Sequence, residues 1–283
     1  MPDREVISHF LRLQESALPA NGRFLVVGDI HGELQLFERL LQLAGFDPAR
    51  DHVLSLGDLI DRGPNSADVL DWFLHGERRS ALLGNHEAMM IVARDDVAVR
   101  ELWFRNGGLW VLQIGDQRHR AYAEAVHRFP LAIELQLCDG RRIGLVHAEV
   151  KPGLHWREIR DVQFVAEDAI DISALAPMPS LLWGRQRLSA VLDADVRRGP
   201  PRLAIDACVP GIDQLIAGHT ILYRREPLSH GNCLWIETGA FQQRQGGRLT
   251  LVDPAAACYW QVGARSTDRW GPSPLPVPTP TMI

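Results

Sequence analysis

The 283-residue chain contains a single lysine, Lys151, and four cysteines, none of them paired in a CxxC spacing. Lys151 follows no glycine-rich turn, so neither a phosphate-cradling P-loop nor a lysine Schiff-base centre is expected. Cys138, Cys208, Cys233 and Cys258 are too scattered for a zinc finger or a disulfide scaffold, and they point to reduced thiols in a reducing compartment. No apolar run approaches the roughly 18 residues of a membrane span, and residues 1–10 mix charges of both signs without the apolar stretch of a signal peptide. A cytoplasmic protein with no membrane partner is therefore expected. With 30 Lys plus Arg against 35 Asp plus Glu the net charge is −5, and no basic stripe stands out, so a general nucleic-acid partner is excluded. What is present is an apolar fraction of 46%, enough to bury a core in one large domain or two small ones.

The first third repeats one unit. Phe24-Leu25-Val26-Val27 runs into Gly28-Asp29, and a helical spacing of Leu34, Phe37, Leu40, Leu41 and Ala44 follows. Val53-Leu54-Ser55-Leu56 runs into Gly57-Asp58, with a helix through Val69, Leu70 and Phe73. Ala81-Leu82-Leu83 runs into Gly84-Asn85-His86, with a helix from Glu87. Three strand-loop-helix units predict an α/β fold whose parallel strands send their loops out at one carboxyl edge. Residues 96–128 read as helical. Residues 131–137 and 142–146 alternate around Asp139-Gly140, which predicts a β-hairpin ending at His147. Short runs at residues 215–217, 234–236, 249–252 and 259–262 predict a second, mostly antiparallel sheet. From residue 264 the chain is rich in Pro, Ser, Thr and Gly and is expected to be a disordered tail. The expected division is an N-terminal extension at 1–22, a catalytic domain at 23–263 and the tail at 264–283.

Each of five apolar runs ends in a metal-competent side chain beside glycine or at a loop: Asp29 and His31, Asp58, Asn85 and His86, His147, and His219. Singly, each has a bland explanation as a turn, a cap or a hydrogen-bonded loop histidine. Jointly, chance is the weaker account. Carboxylate, imidazole and amide donors without thiolate suit Mn²⁺, Fe²⁺ or Zn²⁺. These candidate ligands exceed the needs of one catalytic zinc and suffice for two cations about 3.5–4 Å apart that share a carboxylate.

Gly28-Asp29-Ile30-His31-Gly32, Gly57-Asp58-Leu59-Ile60-Asp61-Arg62-Gly63 and Gly84-Asn85-His86-Glu87 resemble, in order, the signature blocks of the phosphoprotein phosphatase branch of the calcineurin-like metallophosphoesterases. His147, Gly218-His219-Thr220 and Leu182-Trp183-Gly184-Arg185 resemble that family's downstream segments. The compact length and residues 103–108 resemble most the bacterial and phage lambda-type serine/threonine phosphatases. The resemblance spans residues 23–252 and implies an αββα sandwich of two mixed sheets flanked by helices. It further implies that Asp29 and His31 bind one metal, that Asp58 bridges, and that Asn85, His147 and His219 bind the second. His86 would be the general acid, positioned by Asp61. Arg62 and Arg185, with Asn85, would hold the phosphoryl oxygens. Imidazole beside a carboxylate stays protonated near neutral pH, and a guanidinium matches phosphate bidentately.

The function so implied is a metal-dependent phosphomonoesterase, with a hydroxide held between two divalent metals, foremost Mn²⁺ with Fe or Zn as substitutes. Its substrate would be a protein phosphorylated on serine or threonine, with tyrosine or a small phosphoester as variants. A symmetrical dinucleoside tetraphosphatase is the competing enzyme, supported by Gly45-Phe46-Asp47-Pro48-Ala49-Arg50. Asp61 and Glu87 weigh against it, because that subfamily generally lacks the Asp-Arg pair and has Asp after Asn-His. An inactive metal-binding interaction module would have lost a ligand, the acid or an arginine, and none is missing. One departure from the family is Glu149, two residues after His147, where a small residue is usual. An inward-pointing Glu149 would narrow substrate choice or alter metal preference. His52, His75, His119, His127, His155 and His230 are assigned no function, and no oligomeric state is implied.

Overall fold

A run such as Phe24-Leu25-Val26-Val27, apolar at every position, suits a strand covered on both faces. In the computed structural model, which describes residues 10–160, 179–197 and 208–277, this run is fully buried. Among the described residues there are twelve strands: β1 (Phe10–Gln14), β2 (Phe24–Val27), β3 (His52–Ser55), β4 (Arg79–Ala81), β5 (Ala132–Gln136), β6 (Arg142–Val146), β7 (Gln214–Ala217), β8 (Leu228–His230), β9 (Cys233–Trp235), β10 (Leu249–Asp253), β11 (Cys258–Val262) and β12 (Arg269–Pro274). They form two six-stranded mixed sheets, ordered β12-β11-β10-β2-β3-β4 and β1-β5-β6-β7-β9-β8. The helices are α1 (Leu34–Leu43), α2 (Ser66–Leu74), α3 (Asn85–Val92), α4 (Val97–Arg105), α5 (Val111–Val126), α6 (Trp156–Arg160), α7 (Ser180–Trp183) and α8 (Gln186–Arg197).

The period-2 alternation of strand side chains sorts the core into layers. Phe24 and Val26 of β2, Leu54 of β3, Ile133 and Leu135 of β5, Ile143 and Leu145 of β6 and Ile216 of β7 meet between the two sheets. The alternate residues, among them Leu25, Val27 and Val53, face outward against Leu36, Phe37, Leu40, Val69 and Phe73 of the covering helices. This is the expected αββα sandwich. The parallel triplet β2-β3-β4 and the hairpin β5-β6 form as the sequence predicts.

Three expectations give way. The short runs at the C-terminal end do not make one antiparallel sheet. β7 and β9 run parallel to β6 in one sheet, whereas β10 joins the β2-β3-β4 sheet antiparallel to β2 and β11 follows antiparallel to β10. Alternation reports that a run is a strand but not which partner it finds. The N-terminal extension contains β1, parallel to β5, with Arg12 paired to buried Glu134 at 2.9 Å. The tail contains β12, an exposed edge strand antiparallel to β11, on which Arg248 lies 4.0 Å over Trp270. Pro272 and Pro274 hid that strand in the sequence, and an edge is where prolines are tolerated in sheets. Residues 1–9 and 278–283 lie outside the described residues, as do 161–178 and 198–207 of the segment expected at the mouth of the site.

One edge of the sandwich gathers the carboxyl ends of β2, β3 and β4 from one sheet and of β6, β7 and β9 from the other. The loops leaving those ends are stitched together. Ile30 and His31 N–H both donate to Asp58 O, at 3.1 and 2.9 Å, and Gly218 N–H donates to His147 O at 2.8 Å.

Candidate active site

Every strand end that carries a metal-competent residue delivers it to this edge. Asp29, His31, Asp58, Asp61, Asn85, His86, His147 and His219 are all buried there. The loops achieve this with unusual backbone. His31, Asp58, Asp61, Arg62 and His219 all have φ between 46° and 72°, the left-handed region that non-glycine residues seldom adopt. Such conformations persist where the surroundings over-determine them, and they concentrate at functional sites. Gly84 lets the second and third loops touch, since a Cβ there would lie 2.3 Å from both Asp58 N and Asp58 Oδ1.

Glu87 explains why these loops hold their shape. Its buried carboxylate accepts the N–H groups of Asp58 at 2.9 Å, Leu59 at 2.8 Å, Ile60 at 3.3 Å and Gly84 at 3.0 Å. It therefore caps α3 and clamps the Asp58 loop at once. The longer side chain of glutamate reaches both.

The imidazoles are oriented by backbone. His31 Nδ1 donates to Ile60 O at 2.9 Å and His147 Nδ1 to Leu56 O at 2.8 Å, which leaves each Nε2 as a bare lone pair. Burial pushes the pKa of both rings down. His31 Nε2 lies 3.6 Å from Asp58 Oδ2, and His147 Nε2 lies 3.5 Å from Asp58 Oδ1 and 2.9 Å from Asn85 Oδ1. His219 Nδ1 is also 2.9 Å from Asn85 Oδ1, and burial takes this ring down to about 3. Its backbone N–H donates to both oxygens of Asp29, at 3.1 and 3.0 Å. Burial pushes Asp58 up, but the imidazoles of His147, His86, His31 and His219 outweigh it and hold the carboxylate well below its ordinary range. Asp29 goes the other way, raised by burial and by the Glu237 and Asp58 carboxylates. Burial likewise carries Glu237 up to about 8.

Acceptors facing acceptors, with buried carboxylates short of positive charge, is an arrangement that divalent cations resolve. Among the described residues, two clusters of donor atoms lie close enough to hold an ion: His31, Asp58 and His86, and Asp58, His147 and His219. Asp58 is common to both. The residues present thus fit a dinuclear centre with a shared carboxylate, and Asp29 and Asn85 sit beside it.

Around these clusters stand the remaining expected residues. His86 Nδ1 is 2.5 Å from Asp61 Oδ2, and its Nε2 is 3.9 Å from Asp58 Oδ2. Burial lowers the His86 pKa, but Asp58 and Asp61 together outweigh it and the net shift is upward. Arg62 Nη1 donates to His31 Nε2 at 2.6 Å, and Arg185 Nε donates to His219 Nε2 at 3.1 Å. One guanidinium therefore flanks each cluster.

Three aromatic residues at the site had no role in the sequence reading. Trp103 and Trp110 donate their indole N–H groups to Asp61, and Phe241 lies edge-on to His31, 5.0 Å between ring centroids, with the Arg62 guanidinium 4.4 Å over its face. Trp103 falls in the 103–108 segment that carried the family resemblance, but its contact with Asp61 was not foreseen, and no motif marks Trp110 or Phe241. Glu149 is buried, and its carboxylate accepts Gln186 and Arg187 N–H at the start of α8, so it is engaged with backbone.

The fold and the double cluster fit a phosphoesterase with a dinuclear metal site, and comparison with known proteins shows the family. Residues 22–223 match the calcineurin-like phosphoesterase family, and the chain belongs to it. The chain is 33% identical over 232 residues to serine/threonine-protein phosphatase 1 of Salmonella typhimurium, covering 80% of this chain and 89% of that protein. It is 38% identical over 142 residues to the symmetrical bis(5'-nucleosyl)-tetraphosphatase of Paracidovorax citrulli, covering 50% of this chain and 48% of that protein. Among solved structures, a protein serine/threonine phosphatase from Saccharomyces cerevisiae superposes with a TM-score of 0.56 at 16% identity, covering 87% of this chain and 77% of that one. The protein is a metallophosphoesterase, a hydrolase of phosphate esters.

Proposed function

We propose that this protein is a cytoplasmic phosphomonoesterase of the phosphoprotein phosphatase type, acting on phosphorylated serine or threonine side chains, with tyrosine and small aryl phosphates as further substrates. The observation that carries this reading is the sharing of Asp58 between two donor clusters beside the His86–Asp61 pair. Asp29 and His31 would hold one divalent cation, Asn85, His147 and His219 the other, and Asp58 both, with Mn²⁺ as the preferred metal. When bound, the pair supplies Lewis acidity to the phosphoryl oxygens and a water that is deprotonated at neutral pH.

The chain's own groups do the rest. Arg62 and Arg185, one beside each cluster, bind the non-bridging oxygens of the phosphoryl group and stabilise charge that builds on them in the transition state. Asn85, by its amide, adds a contact. His86 carries a proton on Nε2 and gives it to the departing alkoxide, as a general acid. Asp61 accepts from Nδ1, fixes the ring plane and favours the protonated imidazolium.

A symmetrical dinucleoside tetraphosphatase is the second reading, since one such enzyme aligns with half of this chain. The engagement of Asp61 with His86, and the reach of Glu87 across two loops, favour the first. Release of phosphate from a phosphoserine peptide, set against release of ADP from diadenosine tetraphosphate in Mn²⁺, separates them. Faster turnover of the tetraphosphate would overturn the proposal.

A further inference from the structure

We infer that Glu149 is a positioning residue for Arg185, and through it sets the affinity of the site for phosphate. The inference rests on the phosphate-binding role proposed above for Arg185.

An α-helix begins with N–H groups that have no partner inside it, and a side-chain acceptor at the N-cap position is the usual remedy. At the start of α8 the first helical bond runs from Ser189 N–H to Arg185 O at 2.8 Å, which makes Arg185 the N-cap. Arginine carries donors only and cannot cap its own helix. Glu149 supplies the missing acceptor from another segment. Its Oε1 accepts Gln186 N–H at 2.9 Å and its Oε2 accepts Arg187 N–H at 2.8 Å, so both oxygens grip the two residues that follow Arg185. The contact is close-fitting, since a Cβ at Gly184 would lie 2.4 Å from Glu149 Cγ. Buried hydrogen bonds to an ionised acceptor are among the stronger ones, and negative charge at a helix N-terminus adds to them.

The other end of the device is anchored to the metal-ligand loop. Glu149 follows His147 by two residues, and the N–H groups of Ala148 and Glu149 donate to Leu181 O at 2.8 Å and Ser180 O at 3.1 Å. Between the two anchors only Leu182, Trp183, Gly184 and Arg185 remain. Trp183 meets the His219 ring edge-on with centroids 6.4 Å apart, and Arg185 reaches His219 Nε2. With its helix capped by Glu149, the Arg185 side chain is free to face the site and its backbone is not free to move. The carboxylate that looked unfavourable for a phosphate enzyme thus holds one of the cations that would receive the phosphate.

The test is a double-mutant cycle on the full-length, Mn²⁺-loaded protein, with Glu149→Gln, Arg185→Ala and the pair. Glu149→Gln keeps the shape and one acceptor, so the fold is preserved, and metal content is measured for all four proteins. Binding of inorganic phosphate is read by calorimetry, alongside KM and kcat for p-nitrophenyl phosphate. Arg185→Ala is expected to weaken phosphate binding and raise KM about tenfold or more, as loss of a charged hydrogen bond does. Glu149→Gln should produce a change of the same kind, about three- to tenfold. The double variant should be no worse than Arg185→Ala, because Glu149 then has nothing left to position. Wild-type phosphate affinity in Glu149→Gln, or effects that multiply in the double variant, would overturn the inference while leaving the role of Arg185 intact. Loss of metal in Glu149→Gln would place its action on His147 and also overturn it. An Arg185→Ala protein with unchanged phosphate affinity would remove the proposed role of Arg185, and the inference with it.

Discussion

Trp110 donates its indole N–H to Asp61 Oδ1 at 2.7 Å, and Trp103 does the same to Oδ2, also at 2.7 Å, so the carboxylate that orients His86 is itself held from two sides. Asp61 is fully buried, and burial pushes its pKa up while the N–H groups of His86, Trp110 and Trp103 pull it back. Replacing Trp110 with Phe removes one donor and keeps most of the packing. We expect kcat to fall about tenfold with KM nearly unchanged, since a hydrogen bond to a charged group is worth about 1.5–3 kcal/mol and only part of that bears on the proton transfer. Steady-state kinetics on p-nitrophenyl phosphate measures it, and an unchanged kcat would show that Trp103 and His86 suffice to hold Asp61.

His86→Asn should retain both metals while lowering kcat by about 10²–10⁴, the usual contribution of general acid catalysis. The loss should shrink for substrates with good leaving groups, which need no proton. Metal analysis and a comparison of aryl with alkyl phosphates would decide. Turnover at the wild-type rate on an alkyl phosphate would exclude His86 as the acid.

Phe241 presents its face to Arg62 and its edge to His31. A cation over an aromatic face is worth about 0.5–2 kcal/mol, depending on its exposure to water. Phe241→Ala should therefore raise KM by about two- to thirtyfold, and Phe241→Tyr should restore it. If the Ala variant binds phosphate as tightly as the parent, Arg62 is held by His31 alone.

Chelation should abolish turnover and also lower the melting temperature. Asp29, Asp58 and Glu237 crowd a buried space, and a ligand that binds only the folded state stabilises it by mass action, about 4 kcal/mol at a thousandfold excess over Kd. Differential scanning calorimetry with and without EDTA, followed by titration with Mn²⁺, Fe²⁺ and Zn²⁺, would rank the metals. No change in melting temperature would mean that the carboxylates are relieved in some other way.

His52, at the start of β3, is largely buried, hydrogen-bonded to Ser80 Oγ at 2.9 Å, and lowered by burial to about 4, with Arg78 adding to the shift. In the unfolded chain it would titrate near its ordinary value of about 6.5. Between those two values the unfolded state takes up a proton that the folded state refuses. The contribution of His52 is therefore complete above about pH 6.5, declines as the pH falls to about 4, and is constant below, with about 3 kcal/mol as its upper bound. His52→Gln should flatten that part of the stability profile in urea titrations between pH 7 and 4. Parallel profiles for parent and variant would show that His52 does not titrate this way.

Much of the site was legible before any folding was considered. Hydrophobic runs closing on Gly-Asp, Gly-Asn-His and a lone His name the strand ends, and side chains at one edge of a sheet converge whatever the details of packing. Glu87 was visible as a motif residue, but not as the acceptor of four backbone N–H groups, because hydrogen bonds between loops depend on a backbone conformation that residue types alone do not specify. Trp103, Trp110 and Phe241 lay hidden for a related reason. They are apolar residues 42, 49 and about 200 positions from the groups they hold, and any of them would pass for core.

Strand partnership was the other thing tertiary structure decided. Short runs between turn residues identified β7, β9, β10 and β11 as strands, yet they divide between two sheets. Period 2 defines faces, while the neighbour is chosen by which edge is open and which face needs cover. The same contest of partners drew residues 10–14 and 269–274 into the sheets despite composition that read as extension and tail. The scarcity of lysine, the scattered cysteines and the absence of long apolar runs removed whole classes of function from the sequence alone. Charge counting could not see where the charges lie: a chain of net charge −5 places Arg62 and Arg185 on either side of one buried, metal-competent cluster, and only the fold brings them there.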